Sequence, residues 1–97
     1  MSHHAVFMQQ SDKMQAHLDS FIATGSDQEL FIASYLHGHF DVAVAYVEKA
    51  IEQGESDPIS TLKSKLEQQL QNAFSNNELS ESDAKQVNEL MVTLFHL

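Results

Sequence analysis

The fold of this chain is decided by residues 26–54, which read SDQELFIASYLHGHFDVAVAYVEKAIEQG. The first four letters predict a capping box, in which the Ser26 hydroxyl accepts from the backbone amide of Glu29 and the Glu29 carboxylate accepts from the amide of Ser26. Gly54 is a typical residue at the end of a helix, because glycine adopts the left-handed backbone conformation without strain. The segment therefore predicts one long helix over about residues 27–53.

Apolar residues cover more than half of the circumference of this long helix. At about 3.6 residues per turn, its main apolar face consists of Ile32, Ala33, Leu36, Phe40, Ala43, Val44, Val47, Ala50 and Ile51. Beside that face lies a second set of apolar residues, the aromatic strip, which consists of Phe31, Tyr35, Val42 and Tyr46. A helix that is apolar over so much of its surface should be central and packed on two sides.

Three further amphipathic segments accompany this helix. Apolar residues recur at helical spacing over residues 5–24. Asp57 and Pro58 suit the N-cap and the first helical position of a helix over 58–75, because a proline at that position loses no intrahelical hydrogen bond. A serine cap followed by acidic residues predicts a last helix over 81–96, since acidic side chains favour the positive end of the helix dipole.

The predicted fold is an all-α four-helix bundle that forms a single domain over residues 1–97. No alternating apolar run favours a β-strand, and the apolar share of 42% is typical of a folded domain. Because the predicted connections are short, neighbouring helices should pack antiparallel, with the long second helix at the centre.

The charge balance argues against several classes of partner. Five lysines and no arginine stand against fourteen carboxylates, which gives a formal net charge of −9. Nucleic-acid backbones and anionic membranes are bound through clusters of cationic side chains, and this sequence contains no such cluster. We therefore expect no nucleic-acid or membrane partner, and we expect any charged protein partner to be basic.

The residue types that are missing restrict the chemistry further. The sequence contains no cysteine, which excludes disulfides, thiolate nucleophiles and cysteine-bound zinc. No stretch approaches the roughly 18 uninterrupted apolar residues of a membrane span. The N-terminus also lacks the basic region followed by an apolar region that marks a secretory signal. A cytoplasmic protein is the expectation.

Several short blocks of this sequence carry a family resemblance, and they are SDQELF at 26–31, YLHGH at 35–39, AVA at 43–45, ELS at 78–80 and LF at 94–95. Together they resemble the YfcL-like family of small bacterial proteins. The tyrosine-leucine-x-glycine-histidine element is the most specific of them. The resemblance covers roughly residues 14–96 and leaves residues 1–13 outside. It implies a small cytoplasmic bacterial protein and supplies no mechanism.

Two histidines flank Gly38 in the middle of the long helix. His37 and His39 are two residues apart, which turns them about 160° from each other around a helix, so they cannot bind one metal ion together. Glycine inside a helix costs about 1 kcal/mol relative to alanine and so calls for a reason. The favoured reason is close approach of another helix. The alternative is a binding groove with Gly38 as its floor and His39 and Tyr35 on its wall.

His39 is the candidate for acid–base chemistry, because histidine titrates near neutrality. It lies beside the aromatic strip, where a half-buried imidazole should be hydrogen-bonded to Tyr35 or to a carbonyl group of a neighbouring helix. No residue pattern supplies a nucleophile, an oxyanion hole or a bound metal beside it. We therefore predict no catalytic residues, no metal ligands and no cofactor, and we expect that the protein is not an enzyme.

The aromatic strip admits two interpretations. It can pack under a neighbouring helix and complete the core, which the small size of the bundle favours, or it can stay exposed as a surface for a homodimer or another protein. The leading hypothesis for function is a non-catalytic protein-interaction module of the cytoplasm. The alternative is a small-ligand-binding or enzymatic helical domain around Tyr35, Gly38 and His39. An exposed apolar patch on packed helices favours the first, and a cavity beside Gly38 with His39 facing into it favours the second.

Overall fold

The computed structural model describes residues 3–97, and it contains four helices in this part of the chain. They are α1 (His3–Thr24), α2 (Asp27–Glu52), α3 (Pro58–Ser75) and α4 (Glu81–Leu94). No strand is present among these residues. The central helix α2 packs against each of the other three, and neighbouring helices run antiparallel. The prediction of an all-α bundle with the second helix at its centre is confirmed.

The capping box at the start of α2 is present as the sequence predicts. The Glu29 amide donates to the Ser26 hydroxyl at 3.2 Å, and the Ser26 amide donates to a Glu29 carboxylate oxygen at 3.0 Å. The helix ends at Glu52, one residue earlier than predicted, because Gly54 adopts a φ of +100° and turns the chain away. Both ends of α2 are therefore set by local sequence signals.

The start of α3 differs from its prediction in one respect. Pro58 is the first helical residue and is buried, but the Asp57 side chain forms no capping hydrogen bond. Asp57 instead donates its backbone amide to a Glu55 carboxylate oxygen at 2.9 Å. The helix is thus positioned by its proline and by the turn before it.

The outer ends of α1 and α4 also differ from the predicted bounds. α1 begins at His3, two residues before the predicted start. α4 ends at Leu94, two residues before the predicted end, because the amides of Phe95 and His96 turn back onto the carbonyl groups three residues before them. Such a tightened last turn is a common way of satisfying the final carbonyl groups of a helix.

A single core runs between the four helices. Its largest fully buried side chains are Phe7, Leu18, Leu36, Phe40, Val47, Leu62, Leu66, Leu70, Val87 and Leu94. Each helix contributes at least one of them, at the helical spacing that the sequence shows. The buried face of α2 therefore points into the bundle, and residues on its other side are exposed.

Among the described residues, α2 is the one helix that is long and apolar enough to cross a membrane, judged by length and composition alone. The central helix of a soluble bundle passes the same test, and 33% of the apolar window of α2 is buried inside this bundle. The finding by itself is weak evidence for a membrane span.

Candidate functional site

The aromatic strip lies on the side of α2 that faces away from the core. Phe31, Val42 and Tyr46 are 45%, 60% and 51% exposed, whereas Tyr35 is half-buried. The favoured prediction that these residues complete the core is wrong for the three exposed ones. The helices α1, α3 and α4 pack on the opposite side of α2 and leave these three side chains exposed.

Tyr35 connects the strip to the loop between α3 and α4. Its phenol donates a hydrogen bond to a carboxylate oxygen of Glu78 at 3.0 Å. Its ring lies 6.4 Å from that of Phe31 and 5.0 Å from that of His39, measured between ring centroids. Burial of the phenol raises the pKa of Tyr35 to about 12, and the hydrogen bond and the negative charge of Glu78 raise it in the same direction.

The raised pKa of Tyr35 gives a direct optical prediction, because Tyr46 is the other tyrosine and the chain has no tryptophan. In the Tyr46→Phe variant, we expect phenolate absorbance to appear with a midpoint near 12 rather than near 10.0. The protonated Tyr35 side chain stabilises the folded state fully below pH 10.0. This stabilisation is lost as the pH rises through about 12, because the folded chain disfavours the phenolate. Adding Glu78→Gln should lower the midpoint, with circular dichroism as the check that helices persist. A midpoint near 10.0 in the folded Tyr46→Phe variant would contradict the contact.

At the other end of the strip, Tyr46 lies under a lysine of α3. The Lys65 ammonium is 4.6 Å from the centroid of the Tyr46 ring, which is the geometry of a cation–π interaction. Lys65 is half-buried and lies alongside the exposed aromatic ring. The aromatic strip therefore has a positive charge at its Tyr46 end and the negative charge of Glu78 at its Tyr35 end.

His39 points from α2 towards α3. Its Nδ1 atom is 3.2 Å from the side-chain oxygen of Gln69, so Nδ1 carries the proton and donates to the amide oxygen. The sequence predicted a hydrogen bond from this half-buried histidine, but the partner is a glutamine side chain, and Tyr35 contributes a ring contact instead. The Gln69 amide nitrogen is buried without a hydrogen-bond partner among the described residues.

His37 points to the opposite side of α2. Its Nδ1 atom is 3.2 Å from a carboxylate oxygen of Asp41, and its Nε2 atom contacts the side-chain amide nitrogen of Gln15 on α1. Because α2 is continuous through Gly38, the imidazoles of His37 and His39 stay on different sides, as their spacing predicts. Among the described residues, no group of three or more histidine, aspartate or glutamate side chains is placed to bind a metal ion.

Gly38 has a different environment from the one expected. It is exposed, and a Cβ atom added to it would meet no atom within 4 Å beyond its own stretch of helix. The predicted close approach of another helix of the same chain is therefore wrong. Gly38 leaves the middle of the outer face of α2 without a side chain.

A shallow groove of about 420 Å³ runs between α2 and α3 beside the aromatic strip. It is lined by His39, Val42, Lys65, Gln69, Asn72, Ala73, Asn76 and Glu78. His39 faces this groove as the ligand-binding hypothesis requires, but Gly38 is not part of its lining. The structure therefore brings together His39 and Val42 at the groove and leaves Gly38 on the open face.

Three residues of this site were missed by the sequence analysis: Lys65, Gln69 and Glu78. Gln69 is 30 residues from His39 along the chain, and Glu78 is 43 residues from Tyr35. Glu78 belongs to the ELS block of the family resemblance, but nothing local connects it with Tyr35, and no local pattern marks Lys65 or Gln69 on α3. Only the packing of α3 against α2 selects them.

The comparison with known proteins agrees with the sequence resemblance. The model of the YfcL protein family matches residues 8–96. The chain belongs to the YfcL family. It is 30% identical over 83 residues to a protein of Escherichia coli (strain K12) named "Uncharacterized protein YfcL", and the alignment covers 86% of each chain. No solved structure was found to match. The YfcL match begins at residue 8, so residues 8–13, which the sequence analysis placed outside the family region, belong to it.

Proposed function

We propose that this chain is a non-catalytic protein-interaction module that binds a protein through the aromatic strip of α2. The observation that carries the proposal is the exposure of Phe31, Val42 and Tyr46 on a helix whose other side is fully packed. From Phe31 to Tyr46 the strip runs over sixteen residues, or about 22 Å at a rise of about 1.5 Å per residue. Large apolar side chains left exposed in one contiguous patch are a mark of interaction surfaces.

The composition of the strip supports the same function. Phenylalanine and tyrosine are enriched at the centres of protein interfaces, where charged residues are depleted. The four residues of the aromatic strip carry no charge, and Lys65 and Glu78 lie at its margin. An apolar centre with a charged margin is the usual arrangement of such interfaces.

The surroundings of the strip define the class of partner. With a net charge of −9 and five lysines, the chain has little means of binding nucleic acid or anionic lipid. We therefore propose a protein as the partner, and a cytoplasmic location and the absence of a cofactor stay expectations from the sequence.

A second candidate function rests on the position of His39 in the groove between α2 and α3. An imidazole that faces a groove of about 420 Å³ could bind a small molecule or act as a general base there. The groove is open to solvent along its length, whereas small-ligand sites bury most of the ligand. We therefore rank a small-ligand-binding or enzymatic domain second.

Affinity capture from a lysate of the natural host tests the proposal with two matched triple variants. The strip variant carries Phe31→Ser, Val42→Ser and Tyr46→Ser. The control variant carries three exposed apolar substitutions elsewhere: Val6→Ser, Ile22→Ser and Val92→Ser. We expect a protein captured by the unsubstituted chain and by the control to be lost by the strip variant. Rebinding of that protein in purified form should weaken more than about tenfold for the strip variant.

Circular dichroism and unfolding curves show whether both variants keep the fold. Equal capture by the strip variant and the control would overturn the proposal. A small molecule whose binding is lost with His39→Ala and retained by the strip variant would favour the second candidate function.

A further inference from the structure

The aromatic strip is symmetric about the Gly38–His39 peptide. Tyr35 lies three residues before this peptide and Val42 three residues after it, and Phe31 and Tyr46 lie seven residues before and after. When two copies of one helix pack antiparallel with that peptide on a two-fold axis, each residue lies level with its counterpart on the other copy. Phe31 of each copy would then meet Tyr46 of the other, and Tyr35 would meet Val42.

Small residues on the same face make room for these large ones. Ser34, Gly38 and Ala45 are exposed, and at about 3.6 residues per turn they share with the aromatic strip an arc of about 120°. In the antiparallel arrangement, Ser34 lies beside Val42 of the other copy, and Ala45 lies beside Phe31. Gly38 lies at the axis, where the open space around it lets the two backbones approach closely.

The charges at the two ends of the face are complementary. Lys49 is exposed ten residues after His39, and Asp27 is exposed eleven residues before Gly38. Antiparallel packing therefore brings Lys49 of each copy next to Asp27 of the other. A parallel arrangement would instead place like charges together, which is destabilising.

The same relation holds for the charges at the margin of the groove. Lys65 lies at the Tyr46 end of the strip and Glu78 at its Tyr35 end, both on the α3 side. A two-fold axis puts the α3 helices of both copies on the same side of the interface, so Lys65 of one copy points towards Glu78 of the other. The antiparallel arrangement thus gives two Lys49–Asp27 pairs at the ends of the interface and two Lys65–Glu78 pairs along its α3 side.

From these observations we infer that the partner is a second copy of this chain, with the two α2 helices packed antiparallel about a two-fold axis at the Gly38–His39 peptide. The inference rests on the proposed function, because it assigns an occupant to the same strip. It also accounts for Gly38, an exposed glycine in the middle of a helix for which the single chain offers no packing reason.

The size of the face sets the expected affinity. From Asp27 to Lys49 the face is about 33 Å long at about 1.5 Å per residue, and the molecule itself measures 39 × 30 × 18 Å. One helix face gives an interface at or below the lower limit of about 1,200 Å² for stable complexes. We therefore expect a dimer with a dissociation constant in the micromolar range.

Sedimentation velocity measures this association. Protein concentrations from about 1 μM to about 1 mM span the dissociation constants expected for such an interface. The mass should rise from 10.9 kDa towards twice that value as the concentration increases. Gly38→Leu should abolish the rise, because its side chain blocks the axis, yet the fold should keep its stability, because leucine favours helix over glycine. Phe31→Ala should weaken the dimer at least about tenfold, whereas the exposed Val92→Ala is the control and should leave it unchanged.

Charge reversal tests the antiparallel register. Lys49→Glu and Asp27→Lys should each weaken the dimer, and the double variant should restore it, because the opposite charges then meet again. Unfolding curves of the same variants separate this effect from any loss of helix stability.

Cysteine cross-linking tests the position of the axis, since the chain has no cysteine of its own. Gly38→Cys should form a disulfide-linked dimer on mild oxidation, because a disulfide needs Cα atoms within about 7 Å. Ser34→Cys should not link to itself but should link to Val42→Cys when the two variants are mixed.

Three results would overturn the inference: a monomer at about 1 mM, a dimer that Gly38→Leu leaves intact, or efficient self-linking of Ser34→Cys. The capture experiment separates this failure from failure of the interaction module. If the chain sediments as a monomer while the strip variant loses a host protein that binds directly in purified form, the second-copy inference is wrong and the interaction module is supported.

Discussion

Replacement of Phe40 by alanine is expected to lower the free energy of unfolding by about 3–5 kcal/mol. Phe40 is 1% exposed and lies in the middle of α2, within the buried core. Loss of its ring removes buried apolar surface and leaves a cavity that the surrounding helices can fill only in part. Denaturant unfolding followed by circular dichroism measures the loss directly.

The matched control for this change is Phe31→Ala on the same helix. Phe31 is 45% exposed, so the same truncation should change the free energy of unfolding by no more than about 0.5 kcal/mol at concentrations where the chain is monomeric. If Phe40→Ala leaves too little folded protein to measure, Phe40→Leu should show a smaller loss of the same sign. Equal losses for Phe31→Ala and Phe40→Ala would mean that the aromatic strip is packed rather than exposed.

The second large effect is that glycine-to-alanine substitutions at two positions should change the free energy of unfolding in opposite directions. Gly25→Ala should destabilise the fold by about 1–3 kcal/mol, because its Cβ atom would lie 2.5 Å from the carbonyl oxygen of Phe21. That oxygen belongs to the backbone and accepts a hydrogen bond from the Gly25 amide at 2.8 Å, so it cannot rotate away. The added methyl group would also come within 3.0 Å of the Cβ atom of Glu29, whose side chain forms the capping box.

Gly38→Ala provides the matched comparison. The added Cβ atom meets nothing within 4 Å beyond its own stretch of helix, and alanine favours the helix by about 1 kcal/mol over glycine. We therefore expect Gly38→Ala to raise the free energy of unfolding and Gly25→Ala to lower it, both measured at low protein concentration. Destabilisation by Gly38→Ala would show that the outer face of α2 is not open in the single chain.

The helices of this fold could be predicted from the sequence because their ends carry local signals. The capping box at Ser26 and the serine cap at Ser80 involve residues three positions apart, and both form as predicted. Asp57 is the exception, since its side chain makes no cap and Pro58 positions the helix instead. Local chemistry therefore decides where helices begin even when an individual capping residue does not act as one.

The candidate site was less predictable, for a reason that lies in how helices pack. Periodicity shows that Phe31, Val42 and Tyr46 share a face of α2, but it does not show whether another helix covers that face. The answer depends on where α1, α3 and α4 settle around α2. The contact of Lys65 with Tyr46 depends in the same way on the position of α3 against α2.

The position of α2 against all three other helices has a consequence for the order in which the structure forms and opens. α1 directly precedes α2 in the chain and α3 directly follows it. Their contacts with α2 therefore close short loops and should form early in folding. α4 is the shortest helix, with 14 residues, and it packs chiefly on α2, from which α3 separates it in the sequence. It therefore has the longest loop to close, and its contacts with α1 and α3 are slight compared with its contact with α2. α4 is accordingly the element whose amides should exchange with solvent through the lowest-energy local opening, while the α1–α2–α3 unit remains folded.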